Sequence, residues 1–382
     1  MNTHPDGFDP ARRRWLHGSG AALLASALPL RAAGVLPAMR SDPAAPIRLD
    51  LNESSYGPSP RVTEAIAQAL PQLPRYVSTT QAEALQQQIA TFEGVAPEQV
   101  ILGEVLEALG QHLALEQGGG GFIYSVPGYG ALVDAAAPFG GKAVEVPLDA
   151  QLRNDLPALS AAINADTRAL FVVNPHNPSG TLSERAAFDA FVHAAAQRTL
   201  VIVDEAYLDY REDFAERTVA RLLRAGDNVV VFRTFGKLHA LAGLQIGYAL
   251  APRALADALR RRGVGGAHAL NQLSIVAAAA SLADSGHLAG VRAQVAHERE
   301  RWLVLLREWR LRYAEPAGNF VFFDAGRPQS QVATALLERG IRIGRAFPPY
   351  ANWVRITIGT PAENAAAQTA VRELIHAGPR RG

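Results

Sequence analysis

Between residues 100 and 250 the chain alternates short, wholly apolar runs with longer alanine-rich amphipathic stretches. The runs fall at 100–102, 122–124, 144–146, 170–173, 200–203, 229–232 and 246–250. Because they are continuous rather than period-two, each strand must be covered on both faces, the condition of a mostly parallel sheet between layers of helix. This rhythm predicts an α/β domain of about seven strands. After residue 252 it changes: helical stretches run to 313, followed by a strand at 319–323, a helix at 329–339, a strand near 353–358 and a last helix. The pattern predicts a large domain over 75–252 and a smaller α+β domain over 253–382, with residues 46–74 packing against the smaller one.

At 382 residues, 48% of them hydrophobic and 19% charged, the chain can bury two cores, which excludes a disordered or fibrous protein. The 37 basic and 36 acidic residues leave a net charge of +1 without any long like-charge run, so a nucleic-acid footprint is excluded. There is no cysteine, which removes disulfides, thiolate metal sites and cysteine nucleophiles together. The ten histidines show no metal-ligand spacing, and no serine sits in a nucleophile elbow, so no metal is expected.

Only two lysines occur, Lys142 and Lys237; the other 35 basic residues are arginines. Where a positive charge alone suffices, this chain uses arginine. A retained lysine marks a place needing a deprotonatable primary amine, with chance survival the alternative on composition alone.

The first residues carry another ordered pattern. Arg12 and Arg13 precede Trp15 and Leu16, an apolar stretch follows over 18–30, and Ala25-Ser26-Ala27 offers a small-residue cleavage site. Residues 1–33 resemble a bacterial twin-arginine export signal, which implies a periplasmic protein. The apolar stretch is too short for a bilayer, which takes about 20 residues, so no membrane span is expected.

Four motifs sit where the predicted strands end, the place where open α/β sheets bind ligands. They are Asn174-Pro175-His176-Asn177-Pro178-Ser179-Gly180, Asp204-Glu205-Ala206-Tyr207, Arg233-Thr234-Phe235-Gly236-Lys237, and Ala242-Gly243-Leu244-Gln245-Ile246-Gly247-Tyr248. A fifth, Leu51-Asn52-Glu53-Ser54-Ser55-Tyr56-Gly57-Pro58, precedes the sheet. Their order and spacing resemble the fold-type I pyridoxal-phosphate aminotransferases, in the histidinol-phosphate aminotransferase-like branch, over residues 46–376.

That resemblance implies an aspartate aminotransferase-like fold, a large cofactor-binding domain with a mostly parallel seven-stranded sheet plus a smaller α+β domain. It implies pyridoxal 5'-phosphate as cofactor and amino transfer between an amino acid or amine and a 2-oxo acid. By motif position, Lys237 is the amine that holds the cofactor aldehyde, and Asp204 the carboxylate facing its ring nitrogen. Tyr207 and Asn177 match the partners of the ring oxygen, Tyr129 the aromatic on the ring face, and Thr234 a hydroxyl for the phosphate. Arg355 matches the arginine that takes the substrate carboxylate. Tyr56 resembles a substrate-side aromatic, with a packed turn aromatic as the alternative. Tyr76 matches a tyrosine that reaches the phosphate in a neighbouring subunit, which implies a homodimer with shared sites.

Three positions depart from the family pattern. Glu104, in Leu102-Gly103-Glu104-Val105-Leu106, stands where a Gly-Ser-Asp/Glu turn usually holds the phosphate, and Gln245 replaces a phosphate-binding arginine. Gly344 falls where histidinol-phosphate enzymes carry a second arginine, with Arg345 adjacent. A pyridoxal-phosphate lyase, decarboxylase or racemase, and a cofactor-free binding relative, remain as alternatives.

Overall fold

The computed structural model describes residues 45–376 apart from Gln117, so the segment bearing Arg12 and Arg13 lies outside the described residues. Seven strands form the main sheet: β2 (Val100–Leu102), β3 (Gly120–Val126), β4 (Gly141–Pro147), β5 (Thr167–Val173), β6 (Leu200–Asp204), β7 (Val229–Thr234) and β8 (Gly247–Leu250), after a short first strand β1 (Ile47–Leu49). Their order is β2-β8-β7-β6-β5-β3-β4. The five strands from β7 to β4 run parallel, whereas β8 is antiparallel to both β7 and β2.

The continuous apolar runs have the predicted cause. Leu170, Val172, Val201 and Val203 enter the core on one face. Their chain neighbours Phe171, Val173 and Ile202 enter the core on the other. Every position of β6 is buried. Lys142 lies within β4, the exposed edge strand, rather than in a loop before it. A charged side chain there deters pairing with another strand.

Three further strands belong to a second core: β9 (Phe320–Asp324), β10 (Ile341–Ile343) and β11 (Trp353–Thr357). β9 and β11 pair antiparallel, and β10 pairs in parallel with β1. Trp302, on helix Ser285–Glu308, is fully buried in this core and donates its indole N–H to Asn364 Oδ1 at 3.1 Å.

The two helices after residue 252 pack on the main sheet. Helix Arg253–Arg261 places Ala256 and Leu259 in one core of the seven-stranded sheet, and helix Gln272–Leu282 places Ile275, Ala277 and Ala278 in the other. The buried positions of the second core begin, on this side, at Val291. Apolar surface on those two helices therefore docks onto the sheet they follow, although their composition resembles what comes after. The amino-terminal segment also divides its contacts, since β1 pairs with β10 while Val62 of helix Pro60–Ala69 packs in the sheet core.

One buried charge cluster supports the sheet beneath its ligand-facing edge. Arg233, on β7, forms an ion pair with Glu205 at 3.0 Å and donates to Asp209, and Tyr248 donates to Glu93 at 2.5 Å. Burial pulls the Arg233 pKa down, but the carboxylates of Glu93, Asp209 and Glu205 hold it above its ordinary value. Removing the cation would leave buried carboxylates unpaired, so Arg233→Leu is expected to cost about 3–5 kcal/mol in urea unfolding. A loss below about 1 kcal/mol would show that the cluster is hydrated instead.

Candidate active site

A cavity of about 360 Å³ opens at the carboxyl ends of β5, β6 and β7. Tyr129, Asn177, Asp204, Tyr207, Thr234, Lys237 and Arg355 all line it. The parallel strands explain the convergence: each ends on the same edge of the sheet, and each motif follows directly from its strand.

Asp204 closes β6 and is buried. Its Oδ1 accepts from the Ala206 N–H at 2.9 Å. Burial pushes its pKa up to about 7, against the pull of that N–H and of Lys237 and with a further push from Glu104. A carboxyl in this condition needs a cationic partner to ionise fully, and a protonated pyridine nitrogen is one.

Lys237 follows β7, and its Nζ donates to the backbone oxygen of Leu51 at 2.9 Å while lying 5.7 Å from the centre of the Tyr207 ring. The Tyr207 hydroxyl accepts from Asn52 Nδ2 at 3.1 Å and from Asn177 Nδ2 at 3.4 Å. The Tyr207 ring meets Phe320 edge-on at 5.0 Å. These contacts fix the tyrosine from both ends. Thr234 Oγ1 accepts from the Gly236 N–H at 3.0 Å, which holds the turn leading to Lys237.

Arg355 lies on β11, on the other side of the cavity from the sheet, and is 7% exposed. Its Nη1 donates to Asn177 Oδ1 and its Nη2 to the Asp50 backbone oxygen, both at 2.6 Å. Burial lowers its pKa. Among the described residues no carboxylate lies within ion-pair distance of it, and its Nε is buried without a hydrogen-bond partner. A guanidinium so placed keeps donors for an incoming carboxylate. Gly344 makes room for it, since a Cβ there would sit 3.1 Å from Arg355 Nε.

Two expected site residues are not brought into this cavity. Tyr56 packs against the second core and donates its hydroxyl to the Gly359 backbone oxygen at 3.3 Å. Burial, then Glu298 and Glu363, push its pKa up to about 12. Its hydroxyl thus finds its partner in the segment after β11. Tyr76 is 84% exposed, its ring edge meeting His268 at 5.6 Å, and it does not line the cavity of its own chain.

The structure adds residues that motif reading left without a role. Asn52 bridges the amino-terminal segment to Tyr207 from a left-handed backbone at φ 56°, a conformation that asparagine tolerates better than most residues. Arg345 lines the cavity with its guanidinium 4.4 Å from the centre of the Phe347 ring. Its signal was adjacency to Gly344. Glu104, Glu107 and Gln245 also face the cavity, Gln245 from a backbone at φ 48°. Among the described residues, no cluster of acidic or histidine side chains could hold a metal ion, and no helix is long and apolar enough to cross a membrane.

The chain also matches known proteins along most of its length. The family model for aminotransferase class I and II matches residues 44–371. An aromatic amino acid aminotransferase of Rhodococcus jostii is 38% identical across 84% of this chain and 88% of its own length. A histidinol-phosphate aminotransferase of Pseudomonas fluorescens is 34% identical across 88% of this chain and 91% of its own. The crystal structure of a Sinorhizobium meliloti histidinol-phosphate aminotransferase, in complex with pyridoxal-5'-phosphate, superposes with a TM-score of 0.76 at 30% identity, covering 87% of this chain and 91% of that one. The chain belongs to the class I and II aminotransferases.

Proposed function

We propose that this aminotransferase uses pyridoxal 5'-phosphate to move an amino group between an amino acid or amine and a 2-oxo acid, in the cavity lined by Lys237. The observation that carries the reading is the connected set Arg355–Asn177–Tyr207, with Lys237 and Asp204 facing the same space. The cofactor, when bound, supplies an electron sink for the pair left at the substrate Cα once its proton is removed. Asp204 suits the protonated ring nitrogen, Tyr207 and Asn177 the ring oxygen, and Tyr129, 41% exposed at the cavity wall, the ring face.

The protein's own contributions follow from these placements. Arg355 binds the substrate carboxylate through the donors left over from Asn177 and Asp50. That contact orients the α-hydrogen for Lys237, whose Nζ takes the proton as general base and returns it as general acid. Asp204 holds a proton on the ring nitrogen, and Asn52 and Asn177 hold the Tyr207 hydroxyl in place. Purified protein with the cofactor, pooled amino acids and ¹⁵N-labelled donors tests this. Label appearing in new amino acids formed from added 2-oxo acids supports transfer, whereas keto-acid or amine release without label transfer would favour a lyase or decarboxylase.

A homodimer fits the exposure of Tyr76 beside Leu70 and Leu73, all at the surface of the single chain. Export by the twin-arginine route fits the order of features in residues 11–33 and suits an enzyme that folds around its cofactor before crossing. Replacing Arg12 and Arg13 by Lys is expected to leave the protein in the cytoplasm. Cell fractionation checks it, and a double variant still in the periplasm would remove the export reading.

A further inference from the structure

The cavity is electrically two-sided. Arg345 and Arg355 lie together around Phe347, whose ring centre is 4.4 Å and 5.1 Å from their guanidinium carbons. The residues that the family pattern places toward the cofactor phosphate, Glu104, Thr234 and Gln245, line the cavity together with Glu107, and none of them is an arginine. Glu104 lies two positions before the start of helix Leu106–Glu116, and Glu107 lies in its first turn. A phosphate entering here meets two carboxylates and a neutral amide where a cation is customary.

We infer that Glu104 couples cofactor binding to proton uptake: as a neutral carboxyl it donates a hydrogen bond to the cofactor phosphate, and as a carboxylate it repels it. The inference rests on the reading that this cavity holds pyridoxal 5'-phosphate. The charged and titratable groups around Glu104 are Glu107 on the helix that follows it, Lys237 after β7, Asp204 at the end of β6 and Tyr129 after β3. Two of these are acids that favour its protonation, and Lys237 opposes it. Burial and Glu107 do raise its pKa. Neither arginine is among the charges acting on it. The proton comes from solvent and ends on a Glu104 carboxyl oxygen, one for each phosphate bound above that group's own pKa.

The test uses the full chain freed of cofactor, titrated from pH 6.5 to 9 with pyridoxal 5'-phosphate and, separately, with pyridoxal. The ratio of the two Kd values isolates the phosphate end from pH effects at Lys237 and Asp204. In the wild type this preference for the phosphorylated form is expected to fall with rising pH, approaching about tenfold per unit. Glu104→Gln is expected to flatten the slope and raise the preference at least about tenfold at pH 8, whereas Glu107→Gln keeps the slope. Calorimetry of the wild type in buffers of different ionisation enthalpy should show about one more proton taken up with pyridoxal 5'-phosphate than with pyridoxal.

Parallel curves for wild type and Glu104→Gln, or equal proton uptake for both ligands, would overturn the inference. The backbone N–H groups of Val105 and Leu106 would then meet the phosphate with Glu104 turned to solvent. A slope lost in Glu107→Gln instead would overturn it equally. Failure of both ligands to bind, with no borohydride label on Lys237, would remove the cofactor reading itself, an outcome distinct from binding with parallel curves.

Discussion

Lys237→Ala is expected to lower amino transfer by at least about 10⁴-fold, because one amine both holds the cofactor and moves the α-proton. Borohydride reduction in the presence of pyridoxal 5'-phosphate should label the wild type at Lys237 and leave the variant unlabelled. Lys142→Ala, on the edge strand β4, should change neither turnover nor labelling. The two substitutions form a matched pair, since the chain has no other lysines. Label on Lys142, or turnover surviving in Lys237→Ala, would defeat the assignment.

Asp204→Asn is expected to lower turnover by about 10²- to 10⁴-fold, since an amide cannot hold the ring nitrogen protonated. It should also change the stability of the cofactor-free chain, in the opposite direction. An unfolded aspartate ionises near pH 3.9, whereas Asp204 in the fold ionises near 7 because of its burial. Between those values the folded state keeps a proton that the unfolded state has lost. The group's contribution to stability is therefore full below about pH 4, falls as pH rises, and is gone above about pH 7. The variant should gain on the order of 2–4 kcal/mol over wild type at pH 8, with the difference shrinking toward pH 4. Denaturant unfolding at the two ends of that range checks it. No gain at pH 8 would show that water or a salt ion already satisfies the carboxylate.

Much of this architecture was legible because burial on two faces leaves a mark that period-two strands do not. All seven runs between 100 and 250 correspond to strands of one sheet, and the residues following β5, β6 and β7 meet at one cavity. What local sequence could not show was where surface docks. The helices over 253–282 share their composition with the region that follows, yet their apolar faces meet the preceding sheet. Tyr56 sits in a motif that matches a substrate-side segment, but its hydroxyl is taken by Gly359, more than 300 residues away in the chain. Arg345 is one position from the expected one, and a shift of one residue on an extended segment changes which side chain faces inward. At Gly344 the close approach of Arg355 leaves little space for a side chain, a constraint visible only once β10 and β11 are folded together.

The segment that follows β1 has a consequence for how the site can be switched. Asp50 and Leu51 offer their backbone oxygens to Arg355 and Lys237, and Asn52 holds Tyr207, so three side chains of the cavity lean on three successive residues. The two backbone oxygens cannot be replaced by a change of side chain elsewhere. A cleavage just after Asn52 would release all three contacts together. Such a cut would then act as an off switch for the enzyme, however intact the rest of the sheet remained.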